Sequence, residues 1–251
     1  MATPDSIAHY LLRDVKRAVR EFALMEAGDR IAVGVSGGKD SRTLLELLAR
    51  GVELPGGGSY EVVAVHVETA SAGLPDQRPA LEAWFQALGV PYAIAPLELP
   101  ADECLPLECF RCTRLRRKAL FRATLELGCN KVAFGHHADD AAVTTLLSLL
   151  YKGQVEGLAP RREFFAGQLT VIRPLIYVTE AEIKRYARAR GWDFPPELEC
   201  PRQADARRDK VAAFLASFRP REREQIRANL WRLSGDRADD LNGALKQQED
   251  R

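Results

Sequence analysis

A short glycine-containing segment carries the strongest chemical signal of this chain. It lies between an apolar run and a helical pattern, and its residues are Ser36, Gly37, Gly38, Lys39, Asp40 and Ser41. Two glycines let the backbone turn tightly, and exposed N–H groups at the start of a helix attract phosphate. Lys39 adds a full positive charge. The spacing differs from that of the G-x-x-x-x-G-K-[ST] loop and of the dinucleotide fingerprint, so the segment predicts an ATP-binding phosphate loop of another type.

The cysteines form a second candidate site. Cys109 and Cys112 are separated by two residues and precede a predicted helix, so both sulfurs can reach one metal. Cys200 offers a third thiolate. An odd total of five cysteines, without a secretory signal, argues against a disulfide framework. The residues alone leave open a zinc site, a dithiol and an iron–sulfur cluster, for which Cys104 would complete a ferredoxin-like spacing.

Basic residues concentrate beside the cysteine pair, although the net charge of the whole chain is only +1. Between Arg111 and Arg122 there are six basic residues and no acidic one. Such a cluster beside candidate metal-binding cysteines favours contact with an RNA backbone. The predicted RNA-binding residues are Arg114, Arg116, Arg117 and Lys118, and a C-terminal helix is predicted to extend this surface with Arg219, Arg221, Arg223 and Arg227.

Apolar runs alternate with amphipathic segments along the chain. Predicted strands cover residues 30–35, 61–67, 92–95, 131–134 and 170–174, and predicted helices cover 6–25, 41–49, 77–88, 109–127, 141–150 and 179–190. This alternation predicts an α/β fold with a doubly wound parallel sheet, an N-terminal covering helix and C-terminal helices at about 205–233. The predicted buried stripe of the 109–127 helix consists of Leu115, Ala119, Ala123 and Leu127.

Ligands of doubly wound sheets bind beyond the carboxyl ends of the strands. The 36–41 loop and a second polar string both follow predicted strands, and the second string is Gly135-His136-His137-Ala138-Asp139-Asp140. Adjacent histidines at a strand end more often orient a nucleotide or form loop hydrogen bonds than bind a metal. His66, within an apolar strand, is predicted to lie near adenine, and Cys129 is predicted to be a core residue.

Composition argues against a membrane protein. Hydrophobic residues make up 46% of the 251 residues, enough for a sizeable core. No stretch approaches the roughly 18 consecutive apolar residues that span a bilayer. The N-terminal segment is amphipathic and contains acidic residues, unlike a secretory signal. We therefore expect no membrane association and a cytoplasmic location.

Four stretches of the chain resemble one enzyme family. They are DVKRAVREFALMEAGDRIAVGVSGGKDSRTLLELL, CFRCTRLRRKALFRATLELG, KVAFGHHADDAAVTTLLSLLY and VIRPLIYVTEAEIKRYA, and they look like the tRNA 2-thiocytidine synthetase (TtcA) family of PP-loop ATP pyrophosphatases. The resemblance extends from about Val15 to Cys200. It implies an adenine nucleotide alpha hydrolase-like fold, with an N-terminal helical segment at 1–29, a PP-loop domain at 30–200 and a C-terminal helical extension at 201–251.

The resemblance also implies cofactors and residue roles. ATP, Mg²⁺ and a three-cysteine [4Fe–4S] cluster would serve to replace a pyrimidine carbonyl oxygen of tRNA with sulfur. The implied site residues are the 36–41 loop, Gly135 and His66 at the nucleotide, Asp139 and Asp140 beside the nucleotide and the reacting base, and Cys109, Cys112 and Cys200 as cluster ligands. Of these, Lys39, the two aspartates and the three cysteines would be catalytic.

In the implied reaction, the C2 oxygen of a cytidine in the anticodon loop attacks the α-phosphorus of ATP and pyrophosphate leaves. Sulfide on the open iron of the cluster then attacks C2, and AMP departs. Lys39 and the loop amides would stabilise the charge on the phosphates. A cysteine desulfurase or free sulfide would supply the sulfur. The sequence leaves the oligomeric state open, a homodimer included.

Alternative functions stay open. Glu199-Cys200-Pro201 is closer to the E-C-P string of the related tRNA 2-thiouridine synthetases (TtuA), although this chain lacks the extra C-x-x-C pairs of their terminal zinc fingers. A non-thiolating PP-loop ATP pyrophosphatase that attaches an amine, as lysidine synthetases do, would leave the three cysteines without a role. A nucleotide sensor with a structural metal site would neither need tRNA nor release pyrophosphate.

Overall fold

A six-stranded sheet forms the centre of the fold in the computed structural model. The structure describes residues 3–100, 103, 105, 107–192 and 206–234. The strands are β1 Arg30–Gly34, β2 Glu61–Glu68, β3 Tyr92–Pro96, β4 Lys131–Ala133, β5 Arg161–Phe164 and β6 Leu169–Ile172. The helices are α1 Pro4–Glu21, α2 Lys39–Ala49, α3 Arg78–Leu88, α4 Cys109–Glu126, α5 Ala138–Lys152, α6 Glu180–Ala189, α7 Ala206–Ala216 and α8 Pro220–Ser234. None of the helices in these ranges is long and apolar enough to cross a membrane.

The strand order places residues 35–41 at a point where the order of the strands reverses. The order is β3-β2-β1-β4-β6-β5, with parallel pairing from β3 through to β6. From β1 the chain builds β2 and β3 on one side, and then β4 and β6 on the other. Such a reversal opens a crevice beyond the carboxyl ends of the strands, and residues 35–41 follow β1 at that end. The predicted doubly wound parallel sheet is confirmed.

One edge strand was not predicted. β5 pairs with β6 in antiparallel orientation, with Arg162 opposite Val171. The connection between them, residues 165–168, is too short for the crossover that parallel strands need. The sheet therefore ends in a hairpin.

The described residues form two compact units. Residues 3–135 with 160–192 contain the whole sheet and helices α1, α2, α3, α4 and α6. Residues 136–159 with 206–234 contain α5, α7 and α8, and their core includes Val143, Val211, Leu215 and Leu230. The sequence-based division at residues 29 and 200 stays a prediction.

Helix α4 packs on the sheet with a face that only partly matches the predicted one: Leu115 is buried as predicted, and Ala119, Ala123 and Leu127 pack at the margin of the core. Its buried residues are Leu115, Leu120, Phe121 and Thr124. Leu120 fits because Gly34 has no side chain: a Cβ there would lie 2.9 Å from Leu120 Cδ2. The predicted positions 119, 123 and 127 are half-buried and line an open groove of about 250 Å³ between α4 and β3. Bulky side chains, and not the alanines, therefore fill the space above the sheet.

A buried carboxylate fastens α2 to α6. Glu46 is 1% exposed and accepts hydrogen bonds from Tyr186 Oη at 2.7 Å and Arg190 Nε at 3.1 Å. A second nitrogen of Arg190 pairs with the other carboxylate oxygen. Burial, together with Glu46, raises the pKa of Tyr186, so the hydroxyl stays a donor. Because a buried carboxylate needs partners, these contacts fix α2, the helix that follows residues 36–38.

Tyr186→Phe should lower the free energy of unfolding by about 1–3 kcal/mol, since a buried oxygen of Glu46 loses one of its two donors and keeps only Arg190 Nε. The matched control is Tyr177→Phe, whose hydroxyl donates to the exposed Glu21 at 2.6 Å. Water can replace that partner, so the change there should stay below about 1 kcal/mol. Chemical denaturation measures both values. Equal losses would show that the Tyr186 hydroxyl does not hold Glu46.

Candidate functional site

One serine hydroxyl holds the loop of residues 36–41 in shape. Ser41 Oγ donates to Gly38 O at 3.1 Å and accepts from Ser36 N at 3.2 Å. The hydroxyls of the two serines lie 3.3 Å apart. Helix α2 begins directly after Gly38, an N-cap residue that has no side chain to cap the helix. The start of a helix favours phosphate, so this end of α2 is a candidate phosphate site.

Two glycines of the site leave no room for a side chain. Gly37 has a φ of +89°, a left-handed conformation that favours glycine, and the side chain of Gln77 lies directly over it. Gly135, just beyond β4, packs against the loop backbone. A Cβ on Gly135 would lie 2.8 Å from the carbonyl carbon of Asp40 and 2.9 Å from Ser41 N. The structure thus brings the end of β4 into contact with the start of α2.

Lys39 lies between two carboxylates. Its Nζ is 3.2 Å from Asp40 Oδ2 and 3.1 Å from Glu180 Oε1, an oxygen that Lys184 also contacts at 3.0 Å. Burial lowers the pKa of Lys39, but Asp40 and Glu180 outweigh it and hold that pKa above its ordinary value. Likewise, burial raises the pKa of Glu180, but the opposite effect of Lys184 and Lys39 is larger, so the pKa of Glu180 lies below its ordinary value. The ammonium group therefore stays charged and sits among groups that a phosphate can replace.

His66 supports the strand that leads into the loop. It is 4% exposed, and its Nδ1 lies 2.8 Å from Val35 O. A carbonyl oxygen only accepts, so Nδ1 carries the proton. Burial lowers the pKa of His66, the bond to Val35 opposes this, and Arg116 lowers it further. His66 is thus neutral at pH 7, and its proximity to adenine stays a prediction.

The paired cysteines occupy the first turn of α4. Cys109 is exposed, while Cys112 is half-buried and packs against the core. Cys104 and Cys200 lie outside the described residues. Within the described part of the chain, no three His, Cys, Asp or Glu side chains are grouped to hold a metal, so the three-cysteine set stays a prediction. Cys129 is buried, which agrees with its predicted place in the core.

The basic cluster of α4 divides into paired and unpaired residues. Arg111 pairs with Glu103 at 2.7 Å, and Arg122 pairs with Glu98 at 2.9 Å. Arg116 is half-buried and the other three predicted RNA-binding residues are exposed. Among the residues that the structure describes, no carboxylate lies within 4.0 Å of the charged groups of these four, which are Arg114, Arg116, Arg117 and Lys118.

Asp139 and Asp140 lie in the first turn of α5, in the second compact unit. His137 is the N-cap, and its backbone N–H donates to Asp140 Oδ2 at 3.1 Å. Arg227 donates to Asp139 Oδ1 at 2.8 Å, and Arg208 pairs with Asp140. Both carboxylates therefore face cationic groups of the same unit.

The C-terminal basic surface is smaller than predicted. Arg223 donates to the carbonyl oxygens of Ala216 at 2.9 Å and Phe218 at 3.0 Å. Arg227 is bound to Asp139, as described above, so these two arginines are engaged inside the unit. Arg219 and Arg221 are exposed.

Sequence reasoning missed two residues of the site, Gln77 and Glu180. The start of α6 was predictable, because Thr179 and Glu182 form the capping box that the sequence indicates, with Glu182 Oε2 accepting from Thr179 N at 2.8 Å. Nothing in the local pattern connects Glu180 with Lys39 or Gln77 with Gly37, since these contacts depend on the folded sheet.

Comparison with known proteins gives a consistent family. The family described as PP-loop domain matches residues 11–200. A tRNA-cytidine(32) 2-sulfurtransferase of Anaeromyxobacter sp. (strain Fw109-5) is 38% identical over 233 residues, which cover 90% of this chain and 75% of that protein. A protein of the same name from Klebsiella pneumoniae (strain 342) is 36% identical over 219 residues, which cover 85% of this chain and 70% of that protein.

One solved structure has a similar fold. The U34-tRNA thiolase NcsA from Methanococcus maripaludis, with its [4Fe-4S] cluster, matches with a TM-score of 0.68 and 22% sequence identity. The match covers 91% of this chain and 80% of that one. It supports the doubly wound architecture described above.

Gly135→Ala should weaken ATP binding about tenfold or more, because the new Cβ must displace the backbone of Asp40 and Ser41. Isothermal titration with ATP measures the change. The control is Gly56→Ala, which has a φ of +85° and no neighbour within 4 Å. It should cost about 1 kcal/mol of stability and keep the ATP affinity. Normal ATP binding by Gly135→Ala would mean that this backbone contact does not shape the loop.

The stability of the protein should decline as the pH falls from about 7 to about 5, and less steeply in His66→Gln. The folded state holds His66 with a lowered pKa, so its contribution is complete above the unfolded value of 6.5 and is lost as the pH falls toward the folded value. Denaturant unfolding across this range measures the slope. His9→Gln, at an exposed position of α1, is the control. A wild-type slope in His66→Gln would contradict the assignment.

Proposed function

Since this chain belongs to the PP-loop domain family and, within it, to the tRNA-cytidine(32) 2-sulfurtransferases, we propose that it replaces the C2 oxygen of a tRNA cytidine with sulfur in an ATP-dependent reaction. The observation that carries the proposal is the loop of residues 36–41. The N-cap residue of α2, Gly38, has no side chain to cap the helix. Lys39 is charged, and Gly135 packs against the backbone of Asp40 and Ser41. These features suit the triphosphate of ATP.

The first step is adenylation of the base. The C2 oxygen forms a bond to the α-phosphorus, and the bond to the β-phosphate breaks and releases pyrophosphate. Amides at the start of α2 and the Nζ of Lys39 stabilise the phosphate charge, because they are preorganised donors in a partly buried site. As Lys39 turns to phosphate, Glu180 keeps Lys184 as its partner.

We assign Mg²⁺ to the ATP at the 36–41 loop, with the carboxylate of Asp40 as the ligand that the protein supplies. Asp40 already faces a cation, the ammonium of Lys39. Carboxylate oxygens that attract cations fit the oxygen preference of Mg²⁺. The roles of Asp139 and Asp140 beside the nucleotide and the reacting base are part of this proposal.

The second step brings sulfur to C2. Sulfide attacks C2, the bond to the adenylate oxygen breaks, AMP leaves, and the thiocarbonyl remains without any change of redox state. A [4Fe–4S] cluster, when bound, supplies an iron that carries sulfide as a nucleophile. Cys109 and Cys112 fit two of its ligands, because they lie one helical turn apart at a helix start that favours thiolate. Cys200 is the proposed third ligand.

The substrate tRNA meets the chain at the unpaired basic residues of α4. Arg114, Arg116, Arg117 and Lys118 contact its backbone in this proposal, since excess positive charge beside the cysteine pair attracts phosphate. The sulfur comes from a cysteine desulfurase or from free sulfide. In this proposal the enzyme acts in the cytoplasm, and a homodimer is its proposed assembly.

Deletion of the gene should abolish 2-thiocytidine in cellular tRNA, measured by mass spectrometry of nucleosides. The wild-type gene should restore it, while Lys39→Ala and Cys109→Ala should not, because one lacks the phosphate charge and the other a cluster ligand. Cys129→Ala is the matched control, since Cys129 is a buried core residue. It should restore the nucleoside.

Other outcomes distinguish the alternatives. Loss of a 2-thiouridine in place of 2-thiocytidine would keep the chemistry and change the substrate, in line with Glu199-Cys200-Pro201. An unchanged set of thionucleosides would contradict thiolation. Release of pyrophosphate on addition of tRNA would then separate an amine-attaching enzyme from a nucleotide sensor.

A further inference from the structure

The hairpin of β5 and β6 turns through a conformation that its residues disfavour. Phe165 and Ala166 have φ values of +54° and +53°, and Gly167 follows at +88°. Gly167 N donates to Phe164 O at 3.1 Å and closes the turn. Turns of this kind favour Asn-Gly or Gly-Gly, so a phenylalanine here carries backbone strain. A bulky residue in a strained position points to a role beyond the stability of the hairpin.

Phe165 presents an aromatic ring at the tip of the hairpin. It is 54% exposed. Its ring contacts Phe121 of α4 edge-on, with the centroids 6.2 Å apart and the planes at 87°. Phe164 packs beneath, with its centroid 5.3 Å from that of Phe121. The ring of Phe165 is therefore supported on one side and open to solvent, a suitable platform for an unpaired base.

Two arginines extend over the same surface. Side chains two residues apart in a strand share a face, so Arg162 lies on the same side of β5 as Phe164. Arg117 lies one helical turn before Phe121 and shares its face of α4. Because Phe121 contacts Phe164, Arg117 and Arg162 belong to neighbouring faces of α4 and β5. The guanidinium carbon of Arg162 is 5.4 Å from the ring centre of Phe164.

The charge around these arginines is unbalanced. In the described part of the chain, neither Arg117 nor Arg162 has a carboxylate within 4.0 Å. Arg173 follows β6, and its N–H donates to Pro160 O at 2.9 Å. Burial lowers the pKa of Arg173 to about 10, and Arg117 and Arg162 lower it as well. The positive field on this face therefore suits an anion.

We infer that the hairpin and the adjacent face of α4 bind single-stranded RNA, with Phe165 stacking on an unpaired base and Arg117 and Arg162 contacting the neighbouring phosphate. The inference rests on the proposed function, which supplies a tRNA whose reacting base lies in a loop. Aromatic rings beside guanidinium groups are the usual platform for unpaired nucleotides. The charged residues along β5 disfavour a second strand at this edge.

The aromatic contact is tested by measuring the affinity of the full chain for tRNA by fluorescence anisotropy. The probe is a tRNA transcript without modified nucleosides that carries a fluorescent label at one end. Phe165→Asn should weaken binding about fivefold or more, because stacking on one base is lost. Asparagine adopts left-handed φ readily, so the turn is preserved. Phe165→Tyr should keep the affinity. The matched control is Phe214→Asn, a position of equal exposure, 54%, in α7, which should bind like the wild type.

The ionic contact is tested by the salt dependence of the same binding. Arg162→Gln should lower the affinity and reduce the slope of log K against log salt by about 1, since one phosphate contact is lost. Arg161→Gln is the control, because Arg161 lies on the opposite face of β5 and pairs with Glu163 at 2.8 Å. It should leave the slope unchanged.

The outcomes separate this inference from the proposed function. Wild-type affinity in both Phe165→Asn and Arg162→Gln would overturn the inference and leave tRNA thiolation standing. A wild-type protein that binds no tRNA would overturn both. If the Phe165→Asn and Arg162→Gln proteins lose tRNA affinity and their thermal unfolding midpoints fall as well, the hairpin has a structural role, and the inference is overturned. Self-association lost without a change in tRNA affinity, seen by ultracentrifugation, would assign it to protein–protein contact.

Discussion

The close approach of two main-chain segments, at Gly135 and at Asp40–Ser41, is the constraint on which the site depends. β1 and β4 are parallel neighbours, with Val33 opposite Ala133, so their carboxyl ends are level. The chain that leaves β4 must therefore pass the beginning of α2. Only a residue without a Cβ can pass at this distance. The doubly wound topology thus positions the loop of residues 36–41. Gly135 permits that position because it has no Cβ to collide with the backbone of Asp40 and Ser41.

Charges of the chain itself balance the site without a nucleotide. Lys39 rests between Asp40 and Glu180, and Glu180 is shared with Lys184. All of these groups are partly exposed, so each pair is weak enough to exchange. The hydrogen bond from Tyr186 to Glu46 is buried, in contrast. It holds α6 in place while Glu180, the first residue of α6, exchanges its contact with Lys39. Rigid and exchangeable contacts therefore act at opposite ends of the same helix pair.

Local patterns predicted most of what positions the site. The strand, loop and helix around residues 30–49 were recognisable because an apolar run is followed by two glycines and a lysine. The start of α6 was recognisable from the capping box of Thr179 and Glu182. Of the buried face of α4, Leu115 was predictable, but Leu120 was not, because it enters the space left by Gly34, a residue of another element. The hairpin escaped prediction because Phe165 and Ala166 are unusual in such a turn. Partnerships such as Glu180 with Lys39 arise only when the sheet brings distant segments together.

The uncapped start of α2 has a consequence for the folding equilibrium. A helix normally completes the hydrogen bonding of its first turn with a side chain, whereas Gly38 has none to offer. In the proposed function a phosphate of ATP performs that task, so the nucleotide would act as the N-cap of the helix. Ligand that binds only the native state shifts the equilibrium toward it by mass action. The concentration of free ATP and the folded fraction of this protein would therefore be thermodynamically linked.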